Sequence, residues 1–479
     1  VPDTDAAART VIGLQIKLAR EQRRWSQAKL ADMLNRATGF RSATTAKYVS
    51  KWECGERNPG YVWATVIEQV LDLDLSASET AAPDEGEAAA DDTSSVRLEA
   101  VELIQPPVTA AAHVGHEEHG RWDKILDLRT EGEATRRRDL LGTAGVTLLG
   151  LSGDRVGGND ALASLSRALT TYRSFAPRSS SSVPELDTLT AQTKKAKNLY
   201  QGCQYATTLR DIPALLNSLS FASKFYSGDE KRHTLALSAD AHHTASSVLL
   251  KLGDVGLASL AADRSIRAAE ESEDPLAIGS AARIVAHTLT ASGHAVRAAT
   301  FAKDVAQHLA RHRNNDGPSL SVYGSLLLRG AIAAGKEQDR GSVIELLDEA
   351  AAAAARIGGD HNYHWTAFGP TNVLLHRVNL LVELGDAGSA IDYARAIDPG
   401  SIVITERRAG LYIDVAKAFT QWGKFDRAYE ALQMATKTAP EEVTRPSVAK
   451  FAVDLISYAP APVAQQIRSL LTQTGCLQA

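Results

Sequence analysis

The stretch "LYIDVAKAFTQWGKFDRAYEALQMATKTAP", residues 411 to 440, decides the fold. Apolar residues recur at helical spacing on both sides of Gly423, so the segment reads as two helices joined by a tight turn. Counting from Gly423, Phe425 stands at +2, Ala428 at +5, Leu432 at +9, Ala435 at +12 and Pro440 at +17. Small residues at +5 and +12 let two antiparallel helices approach closely, while the large residues fill the groove between them.

The same turn recurs upstream. "LGDVGLA" (Gly253, Ala258), "SGHAVRA" (Gly293, Ala298) and "LGDAGSA" (Gly385, Ala390) repeat the glycine-to-alanine step of five. "SLLLRGAIAAGKEQDRGSVIELLDEA" is a looser member between them, and "TAQTKKAKNLYQGCQY" with "IPALLNSLSFASKFY" forms an early degenerate pair. The offsets resemble the tetratricopeptide pattern, with longer spacing than the usual ~34 residues per repeat. The expected fold class is all-α: an N-terminal helix-turn-helix bundle followed by a C-terminal α-solenoid of tetratricopeptide-like hairpins over residues 160–479. Composition agrees: 44% hydrophobic, only 6% aromatic and rich in alanine, as close-packed helices require.

Ahead of the array the character changes. Residues 76–120, with "SASETAAPDEGEAAADDTSS" and "QPPVTAAAHVGHEEHG", are small, acidic and unpatterned and read as an acidic flexible linker. A coil of that length spans roughly 35 to 40 Å. Helical spacing returns in "RWDKILDL", opening a connecting helical segment over 121–159. Its "TRRRDLLGTAGVTLLGLSG" (135–153) mimics a twin-arginine export signal but lies far from the chain start, so it is expected to be a docking helix.

Residues 1–75 form a separate domain with its own charge. The chain as a whole carries −5. Residues 9–60 hold eleven Lys/Arg against Glu21, Asp32, Glu53 and Glu56, an excess that suits a polyanion. "VIGLQIKLAREQ", "WSQAKLADML" with Ser26 as N-cap, a third helix from Thr45 to Cys54 and "YVWATVIEQVLDL" make a four-helix unit. "WSQAKLA…YVSKWECGERNP" resembles the Xre/Cro family of helix-turn-helix DNA-binding domains. The resemblance implies that helix three enters the major groove of double-stranded DNA. It places Gln27, Thr45, Ala46, Lys47, Ser50 and Lys51 near base edges and Arg41, Arg57 and Asn58 near phosphates. It also implies that Glu53 pairs internally with Arg20, with Trp52 as a core anchor. The ten residues "NRATGFRSAT" exceed the family's three- or four-residue turn, so Arg41 and Thr44 compete for the groove.

In the array, the first helix of each hairpin is expected to line a concave face. Counting back from the turns puts His243, Arg283, His287, Arg329, Asn372, Asn379 and Lys417 there, a set suited to an extended peptide whose backbone the asparagines would bind and whose carboxylate a cation would hold. The combination resembles Xre-type regulators with C-terminal tetratricopeptide sensors, including the peptide-responsive quorum-sensing group. That implies a cytoplasmic homodimer that regulates transcription and whose array binds a signalling peptide or small molecule. The alternative is an array that docks a protein and takes no small ligand.

Other classes find little support. No apolar run reaches the ~18 residues of a membrane span. Cys54, Cys203 and Cys476 lie far apart, as thiols of a reducing compartment. "GAIAAGKE" (330–337) lacks the Ser/Thr of a phosphate loop and reads as a repeat turn. "HVGHEEH" (113–119), His308 with His312, and His361 with His364 lack a preorganised ligand set, so neither metal nor cofactor is expected. No nucleophile, base and orienting acid form a constellation, so the chain is not expected to be an enzyme.

Overall fold

The computed structural model describes residues 4–37, 46–54, 61–73, 115–126, 156–171, 183–311 and 316–477, and among these it is all-helical, with one isolated antiparallel bridge, His361 to Phe368. Arg41, Thr45, Arg57 and Asn58 lie outside the described residues, as do most of the expected linker and the segment 135–153. Among the described residues no helix is long and apolar enough to cross a membrane.

Twelve helices pair in sequence: α7 (Leu186–Gln201) with α8 (Tyr205–Ala222), α9 (Gly228–Leu252) with α10 (Val255–Ser272), α11 (Pro275–Ala291) with α12 (Ala295–Arg311), α13 (Gly317–Lys336) with α14 (Arg340–Ile357), α15 (Pro370–Glu383) with α16 (Ala387–Ala394), and α17 (Thr405–Gln421) with α18 (Phe425–Thr438). Local chemistry sets their ends. Gly253, Gly293, Gly385 and Gly423 all have φ between 72° and 83°, the left-handed conformation that ends a helix with no Cβ penalty. Aspartates start the helices: Asp254, Asp274, Asp316, Asp339 and Asp386 each accept a backbone N–H of the following turn. Ala258, Ala298, Ala390 and Ala428, five residues past those glycines, are fully buried where paired helices cross.

First helices pack on first helices, α7 on α9, α9 on α11, α11 on α13, α13 on α15 and α15 on α17, so they form an inner layer and their partners an outer one. The inner layer then closes, because α17 also packs against α7. A buried ion network locks the seam. Lys251 of α9 donates to Glu406 of α17 at 2.7 Å and to Glu442 of the short helix α19 (Pro440–Val443) at 2.6 Å, and the Tyr205 hydroxyl donates to Glu442 at 3.0 Å. The opposite charges hold Lys251 above the ordinary lysine range and Glu406 below the ordinary carboxylate range, against burial that opposes both. Helices α20 (Pro446–Tyr458) and α21 (Ala461–Gln473) finish the chain against α18 and α19.

Upstream lie α1 (Thr4–Gln22), α2 (Gln27–Ala37), α3 (Ala46–Glu53) and α4 (Tyr61–Leu71), with α5 (Gly115–Leu126) and α6 (Val156–Thr170) between them and the array. Ile16, Leu30, Leu34, Val49, Trp52 and Ile67 make the core of the first four. At Gly13 a Cβ would stand 2.2 Å from the Trp52 carbonyl oxygen, so a bare backbone lets α1 cross α3. Helix α4 rests on α12 and α14, which makes the small bundle's core continuous with that of the array. Helix α5 crosses the expected boundary at 120/121 and docks by Trp122, whose Nε1 donates to the Ile397 carbonyl at 3.1 Å.

Candidate functional site

Two places collect the sequence-derived candidates. The first is α3. Its inward side carries Val49, Trp52 and Glu53, all buried. Arg20 Nε donates to Glu53 Oε1 at 2.5 Å and Arg20 Nη2 to Glu53 Oε2 at 3.0 Å, a bidentate fork between two residues that are each 8% exposed. The hydrogen bond to Glu53 is the largest influence raising the Arg20 guanidinium above its ordinary value. Gln27 Nε2 donates to the same Oε2 at 2.8 Å, so the start of α2 is tied to the clamp; part of the side chain expected to reach DNA is spent inside the bundle. Ser26 caps α2 by accepting the Lys29 N–H at 3.1 Å. Ala46, Ser50 and Lys51 are half-buried; Ala46 shares the Val49 side of the helix, whereas Ser50 and Lys51 stand away from it. Lys47 belongs to α3, and its side chain lies outside the described residues.

The second place is the middle of the closed inner layer. A cavity of about 40 Å³, traced by the centre of a water-sized sphere, is lined from five sides by Lys197 and Tyr200 of α7, His243 and Ser247 of α9, Arg283 of α11, Arg329 of α13, and Glu406 and Arg407 of α17. That is room for several waters. Two of the cations are matched: Lys197 meets Asp240 at 2.7 Å, and Arg407 lies 3.5 Å from Glu406. Arg283 and Arg329 have no ion pair or hydrogen bond among the described residues, and Arg283 Nε and His243 Nδ1 are buried without a partner. Burial, then the neighbouring guanidiniums of Arg329 and Arg407, push Arg283 down to about 9; burial and Arg407 push Arg329 down to about 10. Both remain charged at neutral pH, held there at a cost. Burial also holds His243 and His287 well below the ordinary histidine range, so they are neutral.

A lid covers one side. The connection from α14 to α15 makes a short 3-10 turn at Tyr363–Trp365 and brings Trp365 into the cavity wall. His364, Trp365 and Ala367 have φ of 47°, 58° and 49°, a cluster of strained side-chain-bearing residues. Two contacts pin it. Gln201 and Asn362 exchange amide hydrogen bonds at 3.1 and 2.8 Å, and Phe368 is fully buried against Gly324, where a Cβ would come within 2.0 Å of the ring.

The structure therefore gathers His243, Arg283 and Arg329, with His287 close enough to Arg329 to feel its charge. It does not bring all seven inner-face candidates together. Asn379 and Lys417 meet at Asp414 instead, at 3.0 and 3.3 Å, because the acid one turn before Lys417 captures both. Asn372 is buried beneath the layer with Oδ1 unpartnered, outside the cavity wall. The open concave groove expected for a peptide is closed along one side, since α17 returns to α7, which leaves a partly open pocket. Lys197, Tyr200, Trp365, Glu406 and Arg407 were missed. Lys197 and Tyr200 sit on a hairpin whose turn uses Cys203 at φ 58° in place of glycine, which hid its register; Trp365 belongs to a connection with no repeat signal. Among the described residues no group of three His, Cys, Asp or Glu is placed to hold a metal. Compared with known proteins, the chain matches no family model, no curated protein and no solved structure.

Proposed function

We propose that this chain is a DNA-binding transcriptional regulator of the Xre/Cro helix-turn-helix kind, whose tetratricopeptide-like array senses a ligand and governs operator binding. The observation that carries the reading is the clamp on α3. A short helix is fixed from behind by the buried Arg20–Glu53 pair and by Gln27, while Ser50 and Lys51 stand away from that side. An internally braced helix with a basic, small-residue outer row suits insertion into a major groove, where lysines donate to guanine O6 and N7. Lys47 and Lys51 are the base-reading candidates, and Arg41, Thr45, Arg57 and Asn58 flank them. Two copies of the chain would present two such helices to half-sites one helical turn, about 34 Å, apart.

The cavity favours a sensing array over a docking scaffold, because its unmatched cations face inward rather than toward a protein partner. It also lies one layer from the small bundle. Arg283 and Arg329 are on α11 and α13, whose hairpin partners α12 and α14 carry α4. A ligand that binds one arrangement of α11 and α13 more tightly than another would thereby bias the seat of the DNA-binding bundle, and only that difference in affinity can shift its activity. Genome-wide mapping of bound DNA tests the reading: the native chain is expected to give discrete sites, lost when Lys47→Ala and Lys51→Ala are combined. Sites unchanged in that variant, or no sites for the native chain, would overturn it.

A further inference from the structure

We propose that the central cavity is the receptor for a compact metabolite bearing a phosphate or carboxylate, gripped by Arg283 and Arg329 beneath the Trp365 lid. The inference rests on reading the array as the sensing half of the molecule, and it narrows the ligand from a peptide to a small oxyanion.

Charge is the first ground. Around one cavity the native chain keeps two guanidiniums, buried Arg283 and half-buried Arg329, that no carboxylate pairs with directly among the described residues; Asp240 and Glu406 reach them only at longer range, and Arg283 Nε is buried without an acceptor. An unpaired buried charge is strongly unfavourable, so an anion that supplies the acceptors removes a standing penalty. The fork of each guanidinium matches the oxygens of a phosphate or carboxylate. Competing acceptors nearby are already spent: Asp240 is held by Lys197 and Glu406 by Lys251. The hydroxyls of Thr244 and Ser247 also turn away, each donating to a carbonyl one turn back in α9.

Size is the second. Room for several waters admits a compact group the size of a phosphate or carboxylate. An extended peptide advances about 3.3 Å per residue and needs a groove open at both ends, whereas here α7 meets α17 and the Lys251 network bars the seam.

The lid is the third. Three consecutive-neighbourhood residues at positive φ cost energy that a plain connector would avoid, and the strain is concentrated where Trp365 enters the wall. Gln201 ties the lid's outer end, exchanging amide hydrogen bonds with Asn362 and donating to the Trp365 carbonyl at 3.4 Å, and this exposed side is the one by which a small molecule would enter.

Calorimetric titration of the full chain with inorganic phosphate and, separately, with succinate, against chloride at matched ionic strength, tests the proposal. Saturable binding of at least one oxyanion is expected, and the arm that responds tells phosphate from carboxylate. Arg283→Met and Arg329→Met should each weaken it roughly 30-fold or more. Neither is expected to lower the melting temperature of the ligand-free chain, since each removes an unmatched charge; a merely structural arginine would show the opposite. Arg329→Lys keeps the charge without the fork and should bind with intermediate affinity, which covers a Met variant that fails to fold. No saturable response to either oxyanion, or a response unchanged in the arginine variants, would overturn the inference. Binding is read without DNA, so absent operator sites would leave this result standing, and intact operator sites without an oxyanion response would sink this inference alone.

Discussion

Glu53 shows how much one residue can organise. Its two oxygens accept three hydrogen bonds, two from Arg20 and one from Gln27, and so tie α1, α2 and α3 at one point. Glu53→Ala would leave the Arg20 guanidinium buried and unmatched, with a predicted loss of about 3 to 5 kcal/mol in the stability of the bundle. Replacing both partners, Arg20→Met with Glu53→Leu, should recover much of that loss, because an apolar pair of similar volume carries no desolvation penalty. Denaturant unfolding followed by fluorescence would show both effects, and equal stability of Glu53→Ala and the native chain would contradict the clamp. This contact was legible before any coordinates, since the motif that ends at "WECGERNP" implies it. The second acceptor bond was not: Gln27 read as a DNA contact, because sequence spacing gives no hint that an amide 26 positions away would turn inward. Gly13 was equally silent. In a helix it registers only as a weak propensity, whereas its role is to admit the Trp52 carbonyl.

Helices were easier to read than the joints between them. The four turn glycines and the alanines five residues later fall where the repeat pattern puts them, since left-handed backbone and close helix crossing leave a direct trace in residue type. Helix α5 is the contrasting case. Its apolar spacing was visible, but nothing in "RWDKILDL" says what it covers. Trp122 is 1% exposed, meets Tyr412 edge-on at 5.4 Å and hydrogen-bonds the Ile397 carbonyl, while Arg395 closes the helix end by donating to the Leu126 carbonyl at 3.1 and 2.8 Å. Trp122 is thus the largest anchor of the helix, beside the buried Ile125 and Leu126. Trp122→Ala is predicted to cost about 3 to 5 kcal/mol, and the loss should be local: hydrogen exchange over 115–126 should rise sharply while α9 to α14 keep their protection. Uniform loss of protection across the array would show instead that α5 is integral to the fold.

Closure of the inner layer is the feature that no local signal announces. Glu406 and Glu442 lie 155 and 191 positions beyond Lys251 and meet it only because the hairpin-to-hairpin rotation brings α17 back to α7. Packing of the two layers buries titratable side chains, and the whole molecule should report it through pH. Burial lowers His242 to about 4, helped by Arg264, and lowers His376 to about 3, helped by Arg407; His243 and His287 shift the same way. Each Nδ1 of His242 and His376 has a backbone carbonyl partner at 2.8 Å, which is met by the neutral ring. In the unfolded chain these rings take a proton near pH 6.5, so below that value the unfolded state binds more protons and stability falls as pH falls. For His242 and His376 the loss amounts to about 2 kcal/mol each by pH 5 and continues toward pH 4 and 3 respectively. Asp348 opposes it: burial raises its carboxyl to about 6, so the native state takes that proton first and gains as pH drops from 6 toward 4. One carboxyl against four histidines leaves the histidines dominant. Stability measured by urea unfolding should therefore fall steeply between pH 7 and 5. His242→Gln and His376→Gln, whose amides can meet the same carbonyls, should each flatten that slope, and a profile level from 7 to 5 would mean that these rings are open to water.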